Sequence, residues 1–414
     1  MAATTGARAG AGEGVALKGE GAREGEGSPL LFSGFSPALP MQPAPHGGNR
    51  MAIARRLGCR PSDLLDLSAS LAPFGPPAPV RALLLRALAG GADSPLRDYP
   101  DRAFVGLRQA IARLHGLEPE QVLPGNGAAE LFTWAARDAA AQGPSLLPVP
   151  GFADYGRALA CWGGSWQPWP LPLAWGDCFP QPFPLEPQAG GVLWITNPHN
   201  PTGQLWSRAS LEPLLERTPL LLVDEAFLPL TPGGEAQSLL PLVGRHRNLV
   251  VIRSLTKLYG LAGLRLAYAA AAPERLERWA RWRDPWPLNG LAVAAGEALL
   301  GDARSYERWV RRVQGWVERE GAAMARALAA IPGLVPLHSA TNFLLVRGRS
   351  PEPGGEPCSL EPLRLAMEER HRILLRDCRS FPGLDHTWLR IALCDGKGRR
   401  RLLRALALTA AQQQ

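Results

Sequence analysis

A chain of 414 residues exceeds one typical domain and is short for three, which predicts two packed lobes. Its 46% hydrophobic and 20% charged residues suit a globular protein, and no stretch approaches the roughly 20 apolar residues that span a bilayer. The net charge of +8 favours anionic ligands, yet the arginines are scattered without a nucleic-acid motif, so neither a membrane nor a nucleic acid is an expected partner. The six cysteines form no C-x-x-C pair and no clustered His spacing, which disfavours a metal site or disulfide framework and fits a reducing cytoplasm.

In chain order, residues 1–45 are Gly/Ala/Glu-rich with a Pro-rich end and read as a disordered extension. Glu13, Glu20, Glu24 and Glu26 argue against a targeting peptide, and Met41 is a candidate true start. Residues 46–90 are expected to pack against the smaller lobe, 91–304 to form the larger one, and 305–414 the smaller, α+β one. Helical stretches near 102–114, 128–141 and 207–217 alternate with apolar runs at 192–196, 220–223, 249–252 and 264–269. That alternation predicts an α/β architecture, a mostly parallel sheet between helices. The stretch 164–190 reads as an irregular connection and 350–357 as a surface loop. Tyr306, Trp309, Val310, Val313, Trp316 and Val317 recur at helical spacing, a packing face rather than a site. A strand-like run at 388–393 and a basic helix at 398–409 end the chain.

Four motifs fall at the ends of strand-like runs, where open α/β sheets bind ligands. They are Asn197-Pro198-His199-Asn200-Pro201-Thr202-Gly203, Asp224-Glu225-Ala226-Phe227, Ser254-Leu255-Thr256-Lys257 and Gly263-Leu264-Arg265. Singly each has a plain reading as a turn, a helix cap or a solvated lysine. Jointly, in this order, they resemble the aspartate-aminotransferase superfamily of fold type I enzymes, from about His46 to the C-terminus. The resemblance implies pyridoxal 5′-phosphate (PLP) as cofactor, with Lys257 as its Schiff-base lysine and Asp224 paired with the pyridine nitrogen. It also places Asn200 on the phenolic oxygen, Tyr155 against the ring, and Ser254 and Arg265 on the phosphate. Backbone N–H groups of Gly127 and Ala128 open a helical stretch and suit the same anion. These roles make chemical sense: a carboxylate beside the ring nitrogen raises its pKa, and a desolvated lysine is neutral often enough to form an imine.

Within the superfamily the chain most resembles threonine-phosphate decarboxylases of cobalamin synthesis, and next histidinol-phosphate aminotransferases. The resemblance rests on His46-Gly47-Gly48-Asn49, Asp66-Leu67-Ser68-Ala69-Ser70, Gly75-Pro76-Pro77, Gly151-Phe152-Ala153-Asp154-Tyr155, and Phe227 where many aminotransferases have tyrosine. It implies decarboxylation or aminotransfer of a small phosphorylated amino acid or amine. Arg390 is the expected carboxylate ligand, with Arg376, His46 and Asn49 for the remaining anionic group. Tyr99, in Arg97-Asp98-Tyr99-Pro100-Asp101, is expected to reach the cofactor phosphate across a homodimer interface. Two departures from the pattern are Leu71-Ala72, where an amide is usual, and Leu393-Cys394, where an arginine is usual.

Overall fold

The computed structural model describes residues 46–91, 94–185, 190–350 and 354–411; the extension 1–45 and part of the 350–357 loop lie outside them. Twelve strands occur among the described residues. They are β1 (Leu65–Leu67), β2 (Val122–Asn126), β3 (Ser145–Val149), β4 (Trp166–Pro170), β5 (Val192–Thr196), β6 (Leu221–Asp224), β7 (Leu249–Ser254), β8 (Leu266–Ala271), β9 (Leu334–Pro336), β10 (Phe343–Gly348), β11 (Ile373–Asp377) and β12 (Trp388–Ala392).

Seven of them form a sheet in the order β2-β8-β7-β6-β5-β3-β4. The run β7-β6-β5-β3-β4 is parallel throughout, and β8 is antiparallel to both neighbours. Central strands β5, β6 and β7 are buried at every position, which is why they read as near-continuous apolar runs. The expected α/β fold with a mostly parallel sheet between helices is therefore present.

Three local expectations need correction. The stretch 164–190 is not wholly irregular, since it contains β4, which pairs with β3 along its length. Its prolines Pro168 and Pro170 are tolerated because β4 is the sheet's edge, where a missing N–H costs no ladder bond. The run at 264–269 becomes a strand only from Leu266, because Arg265 adopts a left-handed φ of 56°. In the stretch 207–217 the α-helix is confined to Arg208–Leu211, and Pro213 lies in the 3₁₀ turn Glu212–Glu216 that follows.

The second sheet has the order β1-β11-β12-β10-β9, with β1 parallel to β11 and the other pairings antiparallel. Residues 65–67 thus extend a sheet built otherwise from the C-terminal third. The helix Ala303–Ala329 buries Tyr306, Val310, Val313, Trp316 and Val317, so its aromatics are packing, as their spacing predicts. Trp316 meets Phe74 edge-on at 5.8 Å. Trp316→Ala should lower stability by about 3–5 kcal/mol, measurable as an earlier denaturant midpoint.

Candidate active site

Parallel strands deliver their C-terminal ends to one edge. Register places Thr196 of β5 opposite Asp224 of β6, and Asp224 opposite Ile252 of β7, so β7 carries Ser254 and then Lys257 to the same level. A cavity of about 340 Å³ opens there. Lys257, Asp224, Asn200, Ser254, Arg265, Ala128, His46, Arg376 and Arg390 all line it, so most of the residues expected from the sequence converge.

Asp224 is buried. Its Oδ1 accepts the Ala226 N–H at 2.9 Å and its Oδ2 the Tyr155 hydroxyl at 2.7 Å. Burial nevertheless pushes its pKa up to about 6, and the bonds from Tyr155 and Ala226 only partly oppose the shift. A cationic partner in the cavity would restore the charge. Lys257 shows the converse: burial, then the Arg390 charge, bring its ammonium down to about 8, with Asp224 opposing. Its Nζ lies 5.7 Å from the Phe227 ring centroid.

At one end the cavity is a cradle for an anion. The helix Ala128–Gln142 begins there with Gly127 as N-cap, at a φ of 77° and without a side-chain cap bond. A Cβ on Gly127 would run into the Arg265 guanidinium, so the glycine admits that side chain. Ser254 and Thr256 hydroxyls stand 2.7 Å apart beside it. The Gly127 N–H is not one of the donors, contrary to the expectation from sequence, because it bonds the Gly125 carbonyl at 2.8 Å. The Ala128 N–H, a guanidinium and two hydroxyls remain, the kind of donor set a phosphate requires. Thr256 was not singled out from the sequence, although it lies within the Ser254–Lys257 motif.

In Asn197-Pro198-His199-Asn200 the two asparagines divide their tasks. Asn197 is spent on the loop itself, exchanging two hydrogen bonds with the Trp206 backbone. Asn200 faces the cavity and accepts from Arg390 Nη1. Arg390 also donates to the Ser68 carbonyl at 3.0 Å. It stands directly across from Arg376 in the β11–β12 pairing, and both are buried. Burial and the Arg376 charge bring Arg390 down to about 9, still cationic at neutral pH and best compensated by an anion. Arg376 donates to Ser380 Oγ, and both guanidiniums stack near Phe381. His46 sits at the rim, 3.9 Å from Asp154 and packed on Phe152; burial lowers its pKa.

Several expectations change. Tyr155 does not face the cavity: it is buried beneath Asp224, bonded to that carboxylate and to Thr196. Phe152 lines the wall instead, because the helix Asp154–Ala160 turns Tyr155 under the sheet edge while Phe152 precedes it. Asn49 is not at the cavity either. Gly48 N–H bonds Ser68 Oγ, after which the chain leaves the rim, and Asn49 becomes the exposed N-cap of the helix Arg50–Arg56. Tyr99 is 77% exposed, stacked on Trp286 at 4.4 Å, and does not line the cavity of its own chain. Reasoning from sequence also missed Ser70 on the cavity wall, whose buried hydroxyl has no hydrogen-bond partner among the described residues.

Two outcomes test this geometry. Gly127→Ala should weaken PLP retention at least about tenfold, roughly 1.4 kcal/mol, by displacing Arg265 from the cradle; equilibrium dialysis measures it. Covalent capture of PLP by the cofactor-free protein should accelerate as pH rises through about 8 and then level off, because only the neutral Lys257 amine is nucleophilic. Stopped-flow absorbance reads that profile, and a flat one would contradict the assignment.

The family model for class I and II aminotransferases matches residues 62–406. The threonine-phosphate decarboxylase of Salmonella typhimurium is 35% identical over 370 residues, covering 87% of this chain and 95% of that protein. A histidinol-phosphate aminotransferase of Symbiobacterium thermophilum is 32% identical over 360 residues, covering 86% and 92%. Among solved structures, histidinol-phosphate aminotransferase from Sinorhizobium meliloti, in complex with PLP, superposes with a TM-score of 0.74 at 22% identity, covering 93% and 99%.

Proposed function

Because the chain belongs to the class I and II aminotransferase family and uses PLP, we propose that it decarboxylates L-threonine O-3-phosphate to aminopropanol phosphate, a step of cobalamin synthesis. The observation that carries this reading is the cross-strand pair Arg376 and Arg390, which lines the cavity together with His46. The two arginines belong to the five-stranded sheet, whereas Arg265 precedes β8 of the seven-stranded one, so in this reading their charge is left for the substrate's own anions. Threonine phosphate has two, a carboxylate and a phosphate. The 35% identical relative bears the name of that activity.

In this reading Ser254, Thr256 and Arg265, with the Ala128 N–H, would hold the cofactor phosphate, and Gly127 makes room for Arg265. Asp224 keeps a proton on the ring nitrogen, and Tyr155 fixes that carboxylate. Asn200 bonds the phenolic oxygen, and Phe152 packs on the ring. When bound, PLP supplies an electron sink for the bond broken at the substrate α-carbon. Arg390 holds the departing carboxylate, while Arg376 and His46 take the substrate phosphate. Phe152, Phe227 and Phe381 exclude water from the reacting carbon. Once CO₂ has left, Lys257, as the ammonium that has taken up the proton given up by the substrate's amino group, would deliver that proton from Nζ to the carbon. The chain works as a cytoplasmic homodimer in this reading, with Tyr99 presented to the partner's cofactor phosphate.

Aminotransfer from histidinol phosphate is the second reading, favoured by the 32% identical relative. Incubation with threonine phosphate and no keto acid separates the two. The proposed enzyme releases CO₂ over many turnovers, whereas an aminotransferase stops after one half-reaction. Arg390→Ala should cut decarboxylation kcat/KM by at least about a hundredfold, some 2.7 kcal/mol. Rapid turnover of histidinol phosphate with 2-oxoglutarate, and no CO₂ from threonine phosphate, would establish aminotransfer instead.

A further inference from the structure

Behind the cavity lies a charged cluster that none of the roles above uses. Glu225 directly follows Asp224, and Arg253 directly precedes Ser254. Both are buried, at 0% and 1% exposure, and neither lines the cavity. Glu225 follows β6, its N–H still bonded to the Ile252 carbonyl of β7 at 2.8 Å, and the alternation sends its side chain and that of Arg253 to the face opposite Asp224 and Ser254. There Arg253 Nε donates to Glu225 Oε2 at 2.8 Å, and its two Nη groups form a fork on Glu235 at 2.8 and 3.0 Å. Ser238 Oγ bridges Arg253 and Glu225, the Leu239 N–H takes the remaining Glu225 oxygen, and the Tyr306 hydroxyl reaches Glu235.

We propose that Glu225 and Arg253 are positioning residues, a buried tie across β6 and β7 that holds Asp224 and Ser254 at a fixed separation so that PLP is gripped at ring nitrogen and phosphate as one rigid ligand. Apolar side chains of equal volume would stabilise the two strands as well or better, since burying charge has a desolvation cost. What the fork adds is direction: fixed donor geometry on a planar guanidinium that apolar contacts lack. The cofactor ring is rigid, so a small change in the spacing of its two anchors weakens both together. The inference rests on the assignment of Asp224 and Ser254 given above.

The test is the ratio of dissociation constants for pyridoxal and PLP, which differ only by the phosphate, measured on the full-length chain by absorbance titration. In Arg253→Met the preference for PLP should fall at least tenfold, and adding Ser254→Ala should lower it little further. Arg253→Lys, which keeps the charge and loses the fork, should recover melting temperature more than it recovers the ratio. A lowered melting temperature with an unchanged ratio, or losses that multiply with Ser254→Ala, would make the cluster merely structural and overturn the proposal. Should Arg253→Met fail to fold, Glu235→Gln, at the cluster's half-exposed margin, should still lower the ratio about threefold, and no change there also overturns it. If Ser254→Ala alone leaves the ratio intact, the phosphate assignment has failed rather than the tie.

Discussion

Asp224 is a carboxylate at the end of a central, fully buried strand, and its position constrains what surrounds it. Removed from water, it needs donors, and Tyr155 and the Ala226 N–H are placed to supply them. Those bonds restrain it without neutralising it, so its pKa stays raised until a cation arrives. Lys257 shares the same dry volume and is pushed toward neutrality for the same reason. One desolvated space thus raises the pKa of an acid, which a cation would restore to its charged form, and lowers that of an amine, which makes its neutral form more accessible. In a watery cleft both groups would revert to their ordinary states.

The site is assembled from two sheets. The seven-stranded sheet supplies Lys257, Asp224, Asn200 and Ser254 from adjacent strand ends, whereas Arg376 and Arg390 come from the five-stranded sheet. Arg390 joins the two, donating to Asn200 on one side and to the Ser68 carbonyl on the other. That division suits an enzyme family in which cofactor chemistry is shared and substrates differ: the anion cradle sits on one sheet and the paired guanidiniums on the other.

What was legible in the sequence follows from burial. Strands β5 to β7 are enclosed on both faces, so their apolar runs and the motifs that end them stood out. The edge strands β2 and β4 did not, because Pro124, Pro168 and Pro170 break the pattern that a central strand must keep. The choice between Phe152 and Tyr155 depended on where a helix begins within one motif, and motif matching does not resolve a three-residue offset. Asn49 failed for a like reason, since the Gly47-Gly48 turn redirects the chain just before it. The direct opposition of Arg376 and Arg390 is a matter of strand register, invisible in two motifs separated by a loop. The Glu225–Arg253 pair is hidden for another cause: charged residues inside strand runs look like interruptions until the partner is seen.

The opposed guanidiniums of β11 and β12 also bear on how such a protein changes under selection. Two guanidiniums stand opposite each other across a buried strand pair, and burial with the Arg376 charge lowers the Arg390 pKa, a cost that an anion beside them would offset. A substitution that introduced an acidic side chain at either position would supply that anion permanently, gaining resistance to heat while closing the pocket to its ligand. Directed evolution for thermostability alone would therefore drift toward an inert fold at these two sites. Selection for turnover keeps both cations in place, and an anionic ligand bound beside them would add to the stability of the fold.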